Sequence, residues 1–494
     1  MQIWNIPTTH HILRVFPLVT ALAIVLAGAQ LVFRDEPDHD MRQGDAMFGA
    51  GRYYAAWQIY RSLASQHPSA QSMARLGMIQ AVRGEHAAAS RSFGSALRMG
   101  VAGRDYTLVR LYQGSSALAQ GYYDDAIRSW RLIDDHADMA PYARVLEAEA
   151  LLRGRNYAAA EQAFDGLRQA RLPQEWRWAV QLRLATLRAS DSAGEASALL
   201  GGIGGIAPAL PDPLMVAPLL PKPSPAPDLL AAAIQGQPDE RAMQLGQAYL
   251  SAGMAELALA QFDAVPSDSP LAVRAQSYAA YTRLRTGDAA GGIGALNALV
   301  RSHPNDTQLR AMLALASLET GDTKHAEVQV KVLRQIAPNS PNTYLAWAQW
   351  YAAQSEYIEA SSSYQKALAA APPDQRGTYL TETVRFHLTT TVRICENGRP
   401  AAQEAALLVD SSAAWAALAQ AQIACGNFAE AERAASTAQQ RDPRSAEASF
   451  YLGKALALRG QRGPAREALV AAADLAPDSD WRAKAEAQLS ILGL

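Results

Sequence analysis

The sequence predicts an all-α solenoid of antiparallel helix pairs, and three periodic features predict it. Prolines recur with a period of 34 residues, at Pro270, Pro304, Pro338 and Pro372 and again at Pro443 and Pro477. A proline ring removes a backbone donor and disfavours helix at the preceding residue, so each proline marks a helix end. Small residues occupy two further fixed positions of the period, and glycine occupies a third. Such a period is typical of stacked helix pairs.

The fixed positions divide each period into two helices and a turn. Six copies begin at Asp239, Val273, Thr307, Pro341, Ser412 and Ala446. The eighth and the twentieth residues of every copy are Ala or Gly, which allows two helices to approach closely. The fifteenth residue is glycine in five copies, and only Ser355 departs from this series. Because helices often end on a left-handed residue, position fifteen predicts the turn between the helices.

This pattern resembles the tetratricopeptide repeat family, whose 34-residue unit holds two antiparallel helices and a closing proline. One of the two best copies, from Ala446 to Ser479, carries the family residues Leu452, Gly453, Leu456, Ala465, Leu469, Ala472 and Pro477. The other, from Pro341 to Asp374, carries Tyr344, Tyr351, Ala360, Tyr364, Ala367 and Pro372. The resemblance implies a superhelix of such pairs, in two arrays.

Residues 1–36 are predicted to form an N-terminal membrane anchor or a signal segment. Residues 15–33 are VFPLVTALAIVLAGAQLVF, and roughly 20 apolar residues can cross a bilayer as a helix. An uncleaved single-pass anchor fits the apolar character that continues to Phe33. A signal peptide cleaved after Ala29 fits the small residues Ala27 and Ala29, and would leave a secreted or periplasmic protein. Both interpretations place the repeats on the extracytoplasmic side.

The rest of the chain divides into two predicted arrays and a linker. Residues 37–200 predict a first array of about four repeats plus closing helices, in which the fourth repeat, around Gly154 and Tyr157, needs a one-residue insertion in its turn. Residues 201–228 are rich in Gly and Pro, and we expect a semi-extended linker whose apolar side chains lie partly against a repeat surface. Residues 229–494 predict a second array of six clear repeats, one irregular unit and a C-terminal capping helix.

Composition and motifs argue against an enzyme. The net charge is -2 and the basic residues are scattered, so no nucleic-acid partner is expected. The sequence lacks a phosphate-binding loop, a dinucleotide fingerprint and histidines at metal-ligand spacing. We therefore expect no catalytic residue, metal, cofactor or small-molecule substrate. The two cysteines, Cys395 and Cys425, lie in neighbouring repeat units and are either a disulfide or two buried thiols.

Function is expected on the repeat surface. In the family that this sequence resembles, the first helix of each pair lines the concave face, which implies protein partners. Position nine, together with Phe450 at position five, supplies the candidate partner-binding residues Gln247, Tyr281, Gln349, Gln420, Phe450 and Lys454. We predict a membrane-tethered scaffold that binds other membrane or envelope proteins during the assembly or maintenance of a multiprotein complex. The alternative is a polymer-guiding or carbohydrate-binding subunit of a polysaccharide secretion system.

Overall fold

The computed structural model describes residues 37–202, 212, 214–222 and 224–493, and every regular element in these ranges is helical. The described residues form two compact units. The first holds residues 37–143, 212 and 214–219, and the second holds residues 144–202, 220–222 and 224–493. No helix in these ranges combines the length and the apolar character needed to cross a bilayer. The segment at 15–33, predicted to be an anchor or a signal peptide, lies outside the described residues.

The first unit consists of helix pairs joined by short turns. Its helices are α1 (37–49), α2 (Tyr53–Gln66), α3 (Ala70–Val82), α4 (His86–Arg98), α5 (Gly103–Ala119), α6 (Tyr123–Trp130) and the first residues of α7 (Ala140–Arg153). In the pair α5 and α6, a Cβ atom added to Gly114 would lie 2.3 Å from Nε1 of the fully buried Trp130. The small residue at position eight is therefore required by close helix packing.

A buried arginine joins three successive first helices of this unit. Arg75 on α3 is only 4% exposed, and its Nε and Nη2 donate to the two carboxylate oxygens of Asp45 on α1 at 2.8 and 3.1 Å. Its Nη1 donates to Asp105 on α5 at 2.6 Å. The Tyr60 hydroxyl donates to Asp45 at 2.7 Å. A buried guanidinium is stable only when such partners compensate its lost hydration.

The second unit continues the stacked pairs to the C-terminal region. Its helices after α7 are α8 (Tyr157–Gly166), α9 (Gln174–Arg188), α10 (Ala193–Gly201), α11 (Pro227–Ala233), α12 (Pro238–Ser251), α13 (Ala255–Asp263), α14 (Ala272–Arg285), α15 (Ala289–Ser302), α16 (Thr307–Glu319), α17 (Thr323–Ile336), α18 (Pro341–Ala353), α19 (Tyr357–Ala370), α20 (Arg376–Thr390), α21 (Arg399–Val409), α22 (Ser412–Ala424), α23 (Phe428–Arg441), α24 (Ala446–Leu458), α25 (Arg462–Leu475) and α26 (Asp480–Ile491). From α13 onward, each second helix contacts the first helix of its own pair and the helix that follows it.

The division into units differs from the predicted boundary at residues 201–228, because helices that precede the linker pack on the second array. The Tyr249 hydroxyl on α12 donates to the carbonyl oxygen of Thr186 on α9 at 2.8 Å. Arg183 on α9 is buried and pairs with both carboxylate oxygens of Glu149 on α7, at 2.8 and 3.0 Å. It also donates to the carbonyl oxygens of Lys222 and Ser224. These contacts hold residues 144–202 in the second unit.

Left-handed residues close the turns within the pairs, as the series at position fifteen predicts. The glycines of the six copies have φ between 75° and 96°, and Ser355 takes the same conformation with φ 63°. In the fourth repeat the left-handed residue is Arg155, with φ 64°. Its amide donates to Leu152 and the next amide donates to Leu151, the same three- and five-residue spacings as at Gly253. The predicted one-residue insertion beside Gly154 is therefore wrong.

The irregular unit of the second array consists of α20 and the shortened α21, separated by a π-helical turn at Ile394–Gly398. Cys395 in this turn and Cys425 at the end of α22 are joined by a disulfide, with their Cα atoms 5.5 Å apart. The bridge connects two neighbouring helix pairs. The unit that departs most from the repeat pattern is thus linked covalently to a regular one.

Candidate functional site

The candidate site is a surface on the first helices of the second unit. First helices of successive pairs contact each other along α14, α16 and α18, and again along α20, α22 and α24. The apolar core lies between helices; Leu284, Leu296 and Leu313 belong to one buried cluster of α14, α15 and α16. Residues at position nine are not among the buried residues of such clusters. They are half-buried. We call the half-buried residues of these first helices the first-helix face.

Five of the six predicted binding residues lie at equivalent places on this face. Each is half-buried, and each belongs to a different first helix, α12, α14, α18, α22 or α24 in chain order: Gln247, Tyr281, Gln349, Gln420 and Lys454. Leu315 on α16 fills the same position and is half-buried too. These six first helices therefore each present one amide, aromatic, apolar or cationic side chain at the same repeat position.

The exposure of Phe450 contradicts its selection as a binding residue. Its side chain is 7% exposed because α26 covers it, and the Trp481 ring lies 5.5 Å from the Phe450 ring between centroids. Tyr451 packs against both rings at 5.3 and 5.7 Å. Phe450 is therefore part of the contact between the last pair and the capping helix, where it cannot meet a partner. Position five is buried in three other copies as well, at Met243, Ser277 and Ala416.

Tyr281 makes a polar contact between neighbouring first helices. Its hydroxyl on α14 lies 3.5 Å from Oε1 of Glu319 on α16. Burial raises the pKa of Tyr281, and the Glu319 carboxylate raises it further, whereas Arg285 lowers it. The phenol therefore stays neutral. Its single O–H donates to Glu319, and its oxygen can accept a hydrogen bond from an N–H group of a ligand on this face.

The match to known families decides what kind of repeat this is. The family model for the tetratricopeptide repeat matches residues 111–175, 243–307 and 416–480. The three matched stretches are tetratricopeptide repeats. Among curated proteins, no sequence matches it.

Solved structures that match this chain have low sequence identity to it. Yeast Tom70 is 13% identical, with 93% of this chain and 96% of that chain covered and a TM-score of 0.41. The APC/C hetero-tetramer Cut9-Hcn1 is 12% identical, with coverage of 94% and 98% and a TM-score of 0.35. PilW, described as a type IV pilus biogenesis factor, is 13% identical, with coverage of 45% and 100% and a TM-score of 0.37.

An aromatic cluster on α18 was not among the predicted site residues. Trp347, Trp350 and Tyr351 are half-buried, and their ring centroids lie 5.2 to 5.4 Å apart. Arg334 on α17 lies over the Trp347 ring, 5.7 Å from its centroid. Tryptophan, tyrosine and arginine dominate the binding energy of many protein interfaces. The sequence signal was three large aromatic residues in five positions of one tetratricopeptide first helix, beside Gln349.

The last tetratricopeptide pair carries an acidic residue in an unusual environment. Glu447 at the start of α24 has a raised pKa because burial disfavours its charged form, and Lys484 on α26 opposes that shift. The Lys484 ammonium lies over the Trp481 ring, 4.2 Å from its centroid. Among the described residues, no group of His, Cys, Asp or Glu side chains could hold a metal ion.

The first unit contains an open cleft between two tetratricopeptide second helices. Its volume is about 760 Å³, and it lies among α4, α5 and α6. Its polar lining includes Ser90, Gln113, Ser116, Gln120 and Ser129. The ring of Tyr122, which is 59% exposed, lies at the same cleft. The lining also holds His86, Asp125 and Arg128, so the cleft combines hydroxyls, amides and an exposed ring with charged groups, all of which can bind a polar ligand.

Proposed function

We propose that this protein is a non-enzymatic scaffold that binds other proteins and helps to assemble or maintain a multiprotein complex of the cell envelope. The family match supports a protein-interaction role. One observation carries the proposal: half-buried Gln247, Tyr281, Gln349, Gln420 and Lys454 occupy one repeat position on five first helices, α12, α14, α18, α22 and α24. Such a row suits a segment or helix of another protein, because amide and phenol groups bind a main chain while apolar surface packs beside it.

The proposal includes a membrane tether. The apolar run at 15–33 has the length of a single-pass span, and the acidic residues after Arg34 favour an extracytoplasmic body. In the alternative, cleavage after Ala29 releases the repeats into the periplasm or the medium. The mass of the mature chain separates the two outcomes. An anchored protein retains Met1 and stays in the membrane pellet after an alkaline carbonate wash, whereas a cleaved one begins at Gln30 and is extracted.

The test of the scaffold role compares two variants of the full chain at native expression levels. After crosslinking and detergent extraction, wild type should co-purify with a reproducible set of envelope proteins. A variant that combines Tyr281→Ala with Gln349→Glu removes two members of the first-helix face. The control, Ile358→Ala, changes an exposed apolar residue on the second helix α19.

The proposal expects the Tyr281 and Gln349 variant to lose its partners and the Ile358 control to keep them. Circular dichroism establishes that both variants remain folded. Recovery of the wild-type chain alone, or equal recovery of partners with all three chains, would contradict the assignment of the first-helix face.

The alternative role, as a polymer-guiding or carbohydrate-binding subunit, has one specific observation in its favour. The cleft among α4, α5 and α6 offers hydroxyls, amides and the exposed Tyr122 ring. Electrophoresis in gels that contain the exported polysaccharide tests this role. Retardation of wild type, abolished by Gln113→Ala with Tyr122→Ala, would favour polymer binding over the scaffold. Unchanged mobility of wild type rules it out.

A further inference from the structure

The first unit binds a segment of its own chain on its first helices. Residues 212 and 214–219, here called the tethered segment, follow α10 in sequence yet belong to the first unit. We propose that the tethered segment is a displaceable ligand, and that the surface beneath it receives peptides of the same chemistry from other proteins. This inference rests on the proposed function, because it takes the first helices as binding surfaces, and it specifies the partner.

Two main-chain hydrogen bonds hold the tethered segment. The amide of Asp212 donates to the carbonyl oxygen of Gly49 at the end of α1, at 2.9 Å. The buried hydroxyl of Tyr112 on α5 donates to the carbonyl oxygen of Met215 at 2.7 Å. A Cβ atom on Gly49 would lie 2.7 Å from the Asp212 carbonyl oxygen, so glycine permits this approach. The first unit thus recognises the segment through its backbone, as peptide-binding surfaces do.

Apolar side chains supply the remaining contact. Met215 and Val216 are each 3% exposed, and Leu219 is buried as well. Beneath them, the ring of Tyr112 lies 6.1 Å from that of Phe48 on α1, measured between centroids. Ala217 between the buried residues is exposed, so one side of the segment faces solvent. The segment therefore resembles a bound peptide, because one of its faces is buried and the other is exposed to solvent.

The carboxylate of Asp212 shapes the segment. It accepts hydrogen bonds from the amides of Leu214 at 3.0 Å, of Val216, and of Ala217 at 2.6 Å. A 3-10 turn at Ala217–Leu219 follows. The aspartate thus caps a turn that presents Met215 and Val216 to the helices. A competing peptide needs the same features, namely an aspartate-capped turn with large apolar residues three and four positions after the aspartate.

The helices of the first unit have cores of their own, which makes displacement compatible with folding. Tyr60, Phe93 and Trp130 are fully buried, each on the second helix of its own pair. A covalent tether raises the effective concentration of a ligand to the order of millimolar. The tethered segment therefore stays bound even with modest intrinsic affinity. A partner peptide that binds more tightly, or that is locally concentrated, displaces it.

The experiment offers the segment in trans to the full chain. The probe is a fluorescein-labelled peptide with the sequence of residues 211–220, and its binding is followed by fluorescence anisotropy. The receptor is a variant, Met215→Asp with Val216→Asp, whose own segment cannot occupy the surface. We expect this released variant to bind the peptide at least tenfold more tightly than wild type does. Adding Tyr112→Phe to the released variant should weaken binding about two- to tenfold, through the loss of one hydrogen bond.

Two controls make each outcome decisive. A probe peptide with its aspartate replaced by alanine should bind more weakly than the original probe. No binding by a released variant whose circular dichroism matches wild type would overturn the proposal. If the released variant unfolds, hydrogen exchange of wild type decides: amides of Val216 and Ala217 that exchange while α1 and α5 stay protected support displacement. Exchange of these amides only together with α5 would make the segment a fixed part of the core and overturn it.

The outcome is separable from that of the scaffold test. Peptide binding without any co-purified envelope protein leaves this inference standing and removes the proposed function. Co-purification of envelope proteins without peptide binding leaves the proposed function standing and removes this inference. The partners would then be assigned to the first-helix face of the second unit.

Discussion

Two of the three glycines of helix α15, Gly292 and Gly294, lie in contrasting surroundings, and together they test the rule that small residues allow helices to pack closely. A methyl group added at Gly292 would lie 2.6 Å from the carbonyl oxygen of Ala280 and 2.9 Å from the amide nitrogen of Leu284, both on α14. A methyl group at Gly294, two residues later, would meet no atom within 4 Å. The perturbation is therefore Gly292→Ala, and its matched control is Gly294→Ala.

The two substitutions are expected to change the stability of the pair α14 and α15 in opposite directions. Alanine is favoured over glycine in a helix by about 0.8–1 kcal/mol, so Gly294→Ala should stabilise the pair α14 and α15 by that amount. Gly292→Ala gains the same propensity but drives a methyl group into backbone atoms, which no rotamer change can move aside. Overpacking of this kind costs about 1–3 kcal/mol. The difference between the two variants isolates that cost, because the propensity gain cancels.

Hydrogen exchange followed by mass spectrometry measures the effect locally, which suits a repeat array that need not unfold in one step. Peptides from α14 and α15 should exchange faster than wild type in Gly292→Ala and more slowly in Gly294→Ala. Peptides from α24 and α25 serve as an internal reference and should not change. Equal protection in the two variants would refute the argument, since it would mean that α14 and α15 do not approach closely at position twenty.

Three further predictions concern a turn, an ionisable group and the disulfide. Ser355→Gly should stabilise the pair α18 and α19 by about 1 kcal/mol, because Ser355 has φ 63° and glycine adopts a left-handed conformation without strain; exchange of the peptides that span the turn measures it. Glu447→Gln should raise the melting temperature at pH 7 but not at pH 4. The folded pKa of Glu447 is raised above 4.5, so its contribution to stability is present at low pH and is lost as the pH rises through the folded value; a melting temperature that shifts equally at both pH values would contradict this. Cys395→Ser should destabilise the α20 to α22 region in oxidising buffer by roughly 3–4 kcal/mol in the chain-entropy model, for a sequence separation of 30 residues. Local exchange should then be the same in wild type and variant after reduction, and a persistent difference would point to lost packing.

The sequence predicts the stacked pairs well because their signals are local. A proline, a glycine and two small residues recur in each period, and each has a backbone or packing reason to be there. At Ser355 and Arg155 the turn is present although the glycine that usually indicates it is absent. A left-handed residue is required at position fifteen, but the conformation costs only about 1–2 kcal/mol for a residue other than glycine. A helix pair can therefore retain the geometry without the glycine that signals it.

Long-range contacts have no comparable signal in the local amino-acid sequence. Tyr112 and Met215 are 103 residues apart, and nothing in either local sequence indicates that their hydrogen bond exists. Apolar residues in the linker did predict that part of it packs on a repeat, but not on which one. Assigning residues 144–202 to the second unit likewise depends on Arg183 and Tyr249, whose partners lie on distant segments.

The candidate surface was predicted by position rather than by environment. Position nine is half-buried in every copy because the helix period places it there. Phe450 was misassigned because position five is a packing position. Met243, Ser277 and Ala416 at the same position are buried too, and the capping helix covers Phe450 in the last copy. The aromatic residues of α18 were overlooked because tryptophan and tyrosine at these positions also serve packing. Trp347 and Trp350 are half-buried and also pack against a core cluster, so they combine the two roles.

The ion pairs of Arg75 oppose fraying at the N-terminal end of the first unit. Terminal repeats of a solenoid ordinarily fray first, since each has a neighbour on only one side. Here, detaching α1 would strip a buried guanidinium of its two-point carboxylate contact and leave Asp105 as its single counter-charge. Fraying from this end therefore begins against an electrostatic penalty. A truncation that starts after Gln66 would remove Asp45 and Tyr60 from this group and leave Arg75 with Asp105 alone.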